Sequence, residues 1–219
     1  MKGILFDLDN TLFDVEQYFS GAFLQISMFL STKYKISKNK IFRILMEIWK
    51  KNSSMYPYLF NDLLDILDLK ENVNELVRMF NSFTGELQPY EDVIPTLSVL
   101  KNMNFKLGII TDGNVERQKR KIELLKIQMY FNSIIFTYEI SNPKPSIIPY
   151  QSAVKRLKLI PKKSYYIGDN PYIDFEGAKK IGLITIRIKK GEFASVPTNS
   201  NIDIEINTIS DLLKIIRSV

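Results

Sequence analysis

From about residue 90 onward the chain alternates short apolar runs with amphipathic segments, and this alternation restricts the possible folds strongly. The apolar runs are rich in β-branched and aromatic residues and are bounded by turn formers: Phe105–Thr111, Ser133–Thr137, Ser164–Asp169 and Leu183–Ile188. The segments between them, such as VERQKRKIELLKI, have helical spacing. A strand, helix, strand, helix order predicts an α/β fold with a parallel sheet covered by helices on both faces. We expect one more short strand around Ile202–Ile206, followed by a terminal helix.

Residues 14–88 follow a different pattern, with several helical periodicities and no convincing strand. From Val15 to Leu30, for example, apolar residues recur at steps of three and four and form one broad stripe. We therefore predict that 14–88 is an inserted all-helical domain. Residues 1–13 and 89–219 together form the α/β domain, and Gly85 and Pro89 mark the return to it.

The chain contains no cysteine and no histidine, which limits its chemistry. Disulfides, zinc–cysteine sites, thiolate nucleophiles and Ser–His triads are excluded. Catalysis would have to use carboxylates, hydroxyls, lysines or a hard metal ion.

The net charge is +6, and Lys119, Arg120 and Lys121 form a basic run. We interpret this run as a solvated helix face and do not expect nucleic acid as a partner, since Glu116 precedes Arg120 by four residues. A modest positive field would instead attract a small anionic substrate. No apolar stretch approaches the ~20 residues that cross a bilayer. We expect a soluble cytoplasmic protein without a membrane partner, either a monomer or a homodimer.

Polar residues follow the apolar runs where the predicted strands end. Asp7 and Asp9 follow an N-terminal apolar run that starts at Ile4, which we predict to be the first buried strand. Thr111 and Asp112 end the run from Phe105, Lys144 lies beyond Ser133–Thr137, and Asp169 and Asp174 end or follow the run from Ser164. Since parallel strands end at one edge of a sheet, these side chains should converge there. Several carboxylates in one crevice repel each other unless a proton or a cation joins them. Oxygen donors alone predict a hard divalent cation such as Mg²⁺, which in turn indicates phosphate chemistry.

Two carboxylates two residues apart can divide the work of phosphoryl transfer. One could attack phosphorus, while the other could protonate the leaving oxygen and later activate water. The Thr111 hydroxyl, the backbone amides around Asp112 and Gly113, and the Lys144 ammonium would supply donors to the phosphoryl group.

Four motifs, DLDNT (7–11), IITDG (109–113), NPKPS (142–146) and GDNPYIDFEGAKKIG (168–182), resemble in order and spacing those of the haloacid dehalogenase-like hydrolases. The resemblance spans the whole chain and implies a Rossmann-like core in which a helical cap, at 14–88, closes over the site. It implies that Asp7 is the nucleophile and Asp9 the general acid/base. Mg²⁺ would be bound by the Asp7 carboxylate, the Asp9 backbone carbonyl and Asp169, with Asp174 supporting the metal's water shell or Lys144. Thr111 and Lys144 would hold the phosphate.

The resemblance favours a phosphatase acting on a small phosphorylated metabolite, such as a sugar phosphate or a nucleoside monophosphate. Dehalogenases of the family lack the acid that Asp9 provides, so the resemblance favours a phosphatase over a 2-haloacid dehalogenase. A phosphotransferase or phosphomutase would use the same residues, and a non-catalytic binding protein of this fold is a further alternative. Motif two departs from the pattern, because many relatives carry asparagine where this chain has Asp112. We expect its carboxylate to point away from the phosphate while its backbone amide faces it.

The aromatic residues of 14–88 are expected mainly in the interior of the helical domain. Tyr18, Phe19 and the stretch SSMYPYLF (53–60) are the candidates for contacts with the leaving group.

Overall fold

The structure, a computed structural model, describes residues 1–52 and 56–217. The chain forms two compact units. Residues up to Val15 and those from Leu87 onward make up one, which we call the sheet unit, and Glu16–Glu86 make up the other, the helical unit. Residues 53–55, which begin one of the candidate leaving-group stretches, lie outside the described residues. The catalytic and cap roles of the two units stay predictions.

The described part of the sheet unit contains a six-stranded parallel sheet, which confirms the predicted fold class. Its strands are β1 (Gly3–Phe6), β2 (Lys106–Thr111), β3 (Ser133–Phe136), β4 (Tyr165–Gly168), β5 (Ile184–Ile188) and β6 (Ile204–Ile206). They lie in the order β3-β2-β1-β4-β5-β6. Ile4 of β1 is in register with Leu107 on one side and Tyr165 on the other. Because the strand order reverses between β1 and β4, a crevice is expected at their carboxyl ends.

The central strands are buried at every position, as expected for a parallel sheet with both faces covered. The last strand is shorter than the sequence predicts and begins at Ile204. Asp203, which was expected inside it, instead accepts hydrogen bonds from the Thr185 amide and hydroxyl at 3.0 Å each. The Asp203 amide still donates to the Thr185 carbonyl (3.0 Å), but the Thr185 amide is bound by the Asp203 carboxylate and not by a backbone carbonyl, so the regular ladder begins only at Ile204.

The helical unit consists, in its described residues, of α1 (Glu16–Tyr34), α2 (Lys38–Asn52), α3 (Leu59–Leu67) and α4 (Val73–Asn81). Aromatic rings fill its interior: Phe19 stacks on Trp49 with centroids 4.6 Å apart, and Phe80 lies edge-on to Phe19 at 5.1 Å. Tyr18 is fully buried and donates its hydroxyl to the Phe80 carbonyl (2.7 Å). Tyr18 and Phe19 therefore lie in the interior of this unit, like most of its aromatic residues, and this position does not support the expectation that they contact the leaving group.

The sheet unit carries the remaining helices: α5 (Val93–Asn102), α6 (Val115–Leu125), α7 (Ile148–Leu157), α8 (Glu176–Lys180) and α9 (Leu212–Arg217). Leu5, Ile110 and Tyr166 of the strands pack in one apolar cluster with Tyr150 and Leu157 of α7. The Asn114 side chain caps α6 by accepting a hydrogen bond from the Arg117 amide (3.0 Å), and this cap fixes where the helix leaves β2. In 1–52 and 56–217, no helix has both the length and the apolar character needed to traverse a bilayer.

Candidate active site

Three aspartates meet at the carboxyl ends of the central strands. Asp7 directly follows β1, Asp169 directly follows β4, and Asp174 precedes α8. One carboxylate oxygen of each lies within 4.8 Å of the other two. The three residues are 6%, 4% and 0% exposed, so water screens little of their mutual repulsion.

The crowding of these carboxylates changes their affinity for protons. Burial raises the pKa of Asp7 to about 7, with the Asp174 charge adding to the rise and Lys144 opposing it. The pKa of Asp169 is raised well above its usual range, first by burial and then by the charges of Asp174 and Asp7. Raised pKa values mean that these buried carboxyl groups tend to keep a proton when no cation is near. A hard divalent cation could take the place of that proton, because it binds carboxylate oxygens.

Lys144 supplies the buried positive charge of this cluster. Its Nζ lies 2.5 Å from Asp7 Oδ1 and 2.6 Å from Asp174 Oδ1. Burial alone would lower the pKa of Lys144, but the Asp174 and Asp7 carboxylates raise it well above its usual value. The lysine is therefore a permanent cation directed at the Asp7 carboxylate.

Asp174 is held by several donors in addition to Lys144. The Tyr166 hydroxyl donates to its Oδ1 (3.0 Å), the Asn170 amide donates to its Oδ2 (2.9 Å), and the Tyr150 hydroxyl donates to its backbone carbonyl (2.7 Å). A Cβ at Gly168 would collide with the Asp174 carboxyl group, so the glycine permits this close approach. The carboxylate that orients Lys144 is thus itself rigidly oriented.

Asp112 connects the end of β2 to the loop that carries Lys144. Its Oδ1 accepts hydrogen bonds from the Thr137 hydroxyl (2.6 Å) and from the Lys144 backbone amide (3.2 Å). Both partners lie on the chain segment that follows β3. The carboxylate, the departure from the family pattern, is therefore engaged in fastening this loop.

Asp9 and Thr111 are linked through helix α6. The Gln118 side-chain amide donates to Thr111 Oγ1 (2.6 Å) and to Asp9 Oδ2 (3.1 Å). Lys121 Nζ lies 2.7 Å from both carboxylate oxygens of Asp9. Burial lowers the pKa of Lys121 to about 8, although the Asp9 carboxylate raises it. Neither α6 residue was singled out for the site from the sequence.

The interpretation of Lys121 as part of a solvated face is wrong. Lys121 is 2% exposed, whereas Lys119, two residues earlier, is exposed and pairs with Glu139 (3.4 Å). A signal was present in the sequence: Gln118 and Lys121 share the helix face of the apolar residues Ile122 and Leu125. Polar side chains on such a face are candidates for buried contacts.

The structure brings most of the predicted site residues into direct contact. Lys144 joins Asp7 to Asp174, Asp169 belongs to the same carboxylate cluster, and Gln118 bridges Thr111 to Asp9. Gly113 follows Asp112 with a φ of 114°, a conformation that favours glycine. The catalytic, phosphate-binding and metal-binding roles of these residues stay predictions.

A Rossmann-like parallel sheet with buried carboxylates and a buried lysine at its carboxyl edge defines an α/β enzyme. The model of the haloacid dehalogenase-like hydrolase family matches residues 4–188, and the chain belongs to that family.

Comparison with known proteins gives the same result over almost the full chain. Glyceraldehyde 3-phosphate phosphatase from Methanocaldococcus jannaschii is 31% identical, with 100% of this chain and 98% of the relative aligned. The crystal structure of a HAD phosphatase from Thermococcus onnurineus is 29% identical, with a TM-score of 0.67 over 98% of this chain and 97% of the other. The HAD-hydrolase YfnB from Bacillus subtilis, 21% identical with 98% of each chain covered and a TM-score of 0.75, shares the fold.

Proposed function

We propose that this protein is a Mg²⁺-dependent phosphatase that hydrolyses a small phosphomonoester through a phosphorylated Asp7. The enzyme class is that of its relatives, since phosphatases of this family align with almost the whole chain. The observation that carries the mechanism is the buried Asp7 carboxylate, which faces Lys144 at 2.5 Å within a cluster of three aspartates. A carboxylate held against a fixed cation is suited to attack a phosphoryl group whose negative charge that cation offsets.

The first chemical step transfers the phosphoryl group to Asp7. A bond forms between an Asp7 carboxylate oxygen and phosphorus, and the bond from phosphorus to the leaving oxygen breaks. Asp9, two residues away and 31% exposed at its side chain, gives its proton to that oxygen. The leaving alcohol then departs and Asp7 carries an acyl phosphate.

The second step returns the enzyme to its starting state. Asp9, now a carboxylate, takes a proton from water, and the water oxygen bonds to phosphorus as the bond to Asp7 breaks. Inorganic phosphate leaves and Asp9 is again protonated. The phosphate oxygens would be bound by the Thr111 hydroxyl, the Lys144 ammonium and the backbone amides of Asp112 and Gly113.

The donors at this edge of the sheet fit the Mg²⁺ ion that the family implies. Asp7, Asp169 and Asp174 offer hard oxygen ligands within 4.8 Å of one another, and the raised pKa values of Asp7 and Asp169 reflect a need for positive charge. The Asp9 backbone carbonyl would be a further protein ligand of the ion. When bound, the ion would offset negative charge on the transferred phosphoryl group.

For the substrate, we propose glyceraldehyde 3-phosphate as the first compound to test, followed by other sugar phosphates and nucleoside monophosphates. The support is the Methanocaldococcus jannaschii relative, which carries that activity in its name and aligns along this whole chain. The chain's net charge of +6 is compatible with a small anionic substrate.

The test is phosphate release from a panel of phosphorylated metabolites and 4-nitrophenyl phosphate, with Mg²⁺ and with EDTA. We expect release with Mg²⁺, loss in EDTA and recovery when Mg²⁺ is added in excess. Asp7→Asn should lower kcat by about 10⁴-fold or more, because a carboxamide is not a nucleophile. Asp65→Asn, the same change at an exposed position on α3, is the matched control and should retain activity.

Several results would contradict the proposal. Substantial turnover by Asp7→Asn would exclude the assigned nucleophile, and turnover that EDTA does not affect would exclude the metal site. Isomerisation of a sugar phosphate without release of free phosphate would instead identify a phosphomutase.

A further inference from the structure

Helix α6 buries two polar side chains that the proposed mechanism does not yet use. Gln118 is 1% exposed and Lys121 is 2% exposed, although both lie on a helix whose other lysines and arginines reach the surface. Burying an ammonium group is costly unless a partner of opposite charge compensates. For Lys121 that partner is the Asp9 carboxylate.

The contacts define the position of the Asp9 carboxylate closely. Lys121 Nζ is equidistant from Oδ1 and Oδ2 at 2.7 Å, so it lies across the open end of the carboxylate. Gln118 Nε2 binds Oδ2 from a second direction at 3.1 Å. Two donors from one helix turn therefore restrict rotation of the Asp9 side chain, which is still 31% exposed.

The same glutamine orients Thr111. Gln118 Nε2 donates to Thr111 Oγ1 at 2.6 Å, so that oxygen is the acceptor in this bond. The hydroxyl hydrogen of Thr111 is then available to donate to a phosphate oxygen. The Gln118 amide group therefore holds the Thr111 hydroxyl and the Asp9 carboxylate in fixed directions relative to each other.

Packing alone does not explain these two residues. Gln118 Oε1 is buried and has no hydrogen-bond partner in the part of the chain that the structure describes, which is unfavourable for stability. Apolar side chains of similar size would fill the same helix face without that cost, and buried ion pairs are often replaceable in this way. An arrangement that stabilises the fold poorly but orients two candidate catalytic groups points to a role in the reaction.

We infer that Gln118 and Lys121 are positioning residues, which align the Asp9 carboxyl group with the leaving oxygen and the Thr111 hydroxyl with the phosphate. This inference rests on the proposed function. When Asp9 carries its proton on Oδ1, Lys121 and Gln118 can both still donate to Oδ2 and so direct the Oδ1 hydroxyl group at the leaving oxygen. Without Lys121, Asp9 would populate orientations that cannot reach the leaving oxygen, so proton donation would become inefficient. The loss should depend on how much the leaving group needs a proton.

Two substrates with different leaving groups test the inference. The 4-nitrophenolate ion leaves without a proton, whereas the alkoxide of glyceraldehyde 3-phosphate requires one. In Lys121→Met, we expect kcat/KM for the alkyl phosphate to fall by about 100-fold, in line with the loss of general acid catalysis, and kcat/KM for 4-nitrophenyl phosphate to fall less than about tenfold. Lys119→Met, the same change at the exposed neighbouring lysine, should alter neither value. Lys121→Arg keeps the charge and should recover part of the loss.

A double-mutant cycle tests whether Lys121 acts through Asp9. In an Asp9→Asn background, Lys121→Met should cause no further loss on the alkyl phosphate, because the group that it positions is already inactive. The double variant carries neither charge and so has no unpaired buried ion. If Lys121→Met does not fold, the comparison of Asp9→Asn with the double variant still tests the inference. Gln118→Met gives a second, uncharged variant and should show the same preference for the better leaving group.

The outcomes separate this inference from the proposed function. Equal losses on both substrates, or a further loss in the Asp9→Asn background, would show that Lys121 is only structural. A wild-type protein that releases phosphate from no member of the panel described above would overturn the proposed phosphatase, and this inference with it.

Discussion

The sheet unit and the helical unit bury different kinds of side chains. At the carboxyl edge of its central strands, the sheet unit buries the carboxylates of Asp7 and Asp169 and the ammonium of Lys144. The helical unit fills its interior with aromatic rings, and its buried Ser27 donates its hydroxyl to the Phe23 carbonyl one turn earlier (2.7 Å). Burial of aromatic rings is favourable in itself, whereas burial of charged groups costs free energy. Buried charges are therefore expected mainly where function requires them. Substitutions in the first region should therefore act mainly on activity, and substitutions in the second mainly on stability.

The sharpest test of this contrast is Asp9→Asn in the sheet unit. We expect kcat/KM for an alkyl phosphate to fall by about 10²- to 10⁴-fold, because the amide cannot donate or accept the proton. The amide keeps the shape of the side chain and an acceptor oxygen for Lys121, but it removes the charge that compensates the buried Lys121 ammonium, so the thermal midpoint should also fall. Steady-state kinetics and thermal unfolding check the two halves of the prediction. Wild-type rates would remove Asp9 from its role.

The corresponding test in the helical unit is Phe80→Ala. Phe80 contacts the rings of Tyr18, Phe19 and Phe23, and its removal should lower the free energy of unfolding by about 3–5 kcal/mol. Denaturant titration followed by circular dichroism measures the loss. Met28→Ala, at an exposed position on α1, is the control and should cost less than about 0.5 kcal/mol. A change below 1 kcal/mol for Phe80→Ala would mean that the aromatic cluster contributes little.

The pH dependence of stability should also distinguish the regions. The pKa of Asp7 rises from 3.8 to about 7 on burial, so between these values the folded state holds a proton that the unfolded state has lost. In EDTA, the stability due to this group should therefore decrease as the pH rises from about 4 through about 7. Mg²⁺ competes with the proton and should raise the thermal midpoint more at pH 8 than at pH 5.

Scanning calorimetry at several pH values, with Mg²⁺ and with EDTA, would measure this dependence. The matched control is Asp7→Asn, which should weaken the pH slope in EDTA and the stabilisation by Mg²⁺. Equal stabilisation by Mg²⁺ at both pH values would argue against binding at the carboxylates.

The smallest effect is expected at Asp112, where two substitutions separate charge from hydrogen bonding. Asp112→Ala removes the acceptor shared by the Thr137 hydroxyl and the Lys144 amide, which should loosen the loop and lower kcat/KM by about tenfold. Asp112→Asn keeps an acceptor oxygen and should stay within about threefold of the wild type. If the asparagine variant lost as much as the alanine variant, the negative charge itself would be required.

Much of the carboxyl edge was predictable because strand ends can be recognised locally. An apolar run that stops at Asp7, Thr111 or Asp169 places each polar side chain at the end of its own strand, and parallel strands bring those ends together. The helical unit was predictable for a similar reason, since its apolar periodicity reports a buried face. The exact limits of β6 were not, because they depend on the Asp203 side chain binding Thr185 of the adjacent strand.

By itself, the sequence determined the fold class, the inserted helical segment and the set of carboxylates and lysine available for chemistry, since these depend on local periodicity and residue type. The tertiary structure decided which residue of the basic run is buried beside Asp9. Successive helical residues point about 100° apart, so Lys119 and Lys121 face different surroundings, and only the packing of α6 against the sheet unit brings Lys121 to Asp9. It likewise decided that Lys144 joins Asp7 to Asp174, because that contact requires two loops distant in sequence to converge at one edge of the sheet.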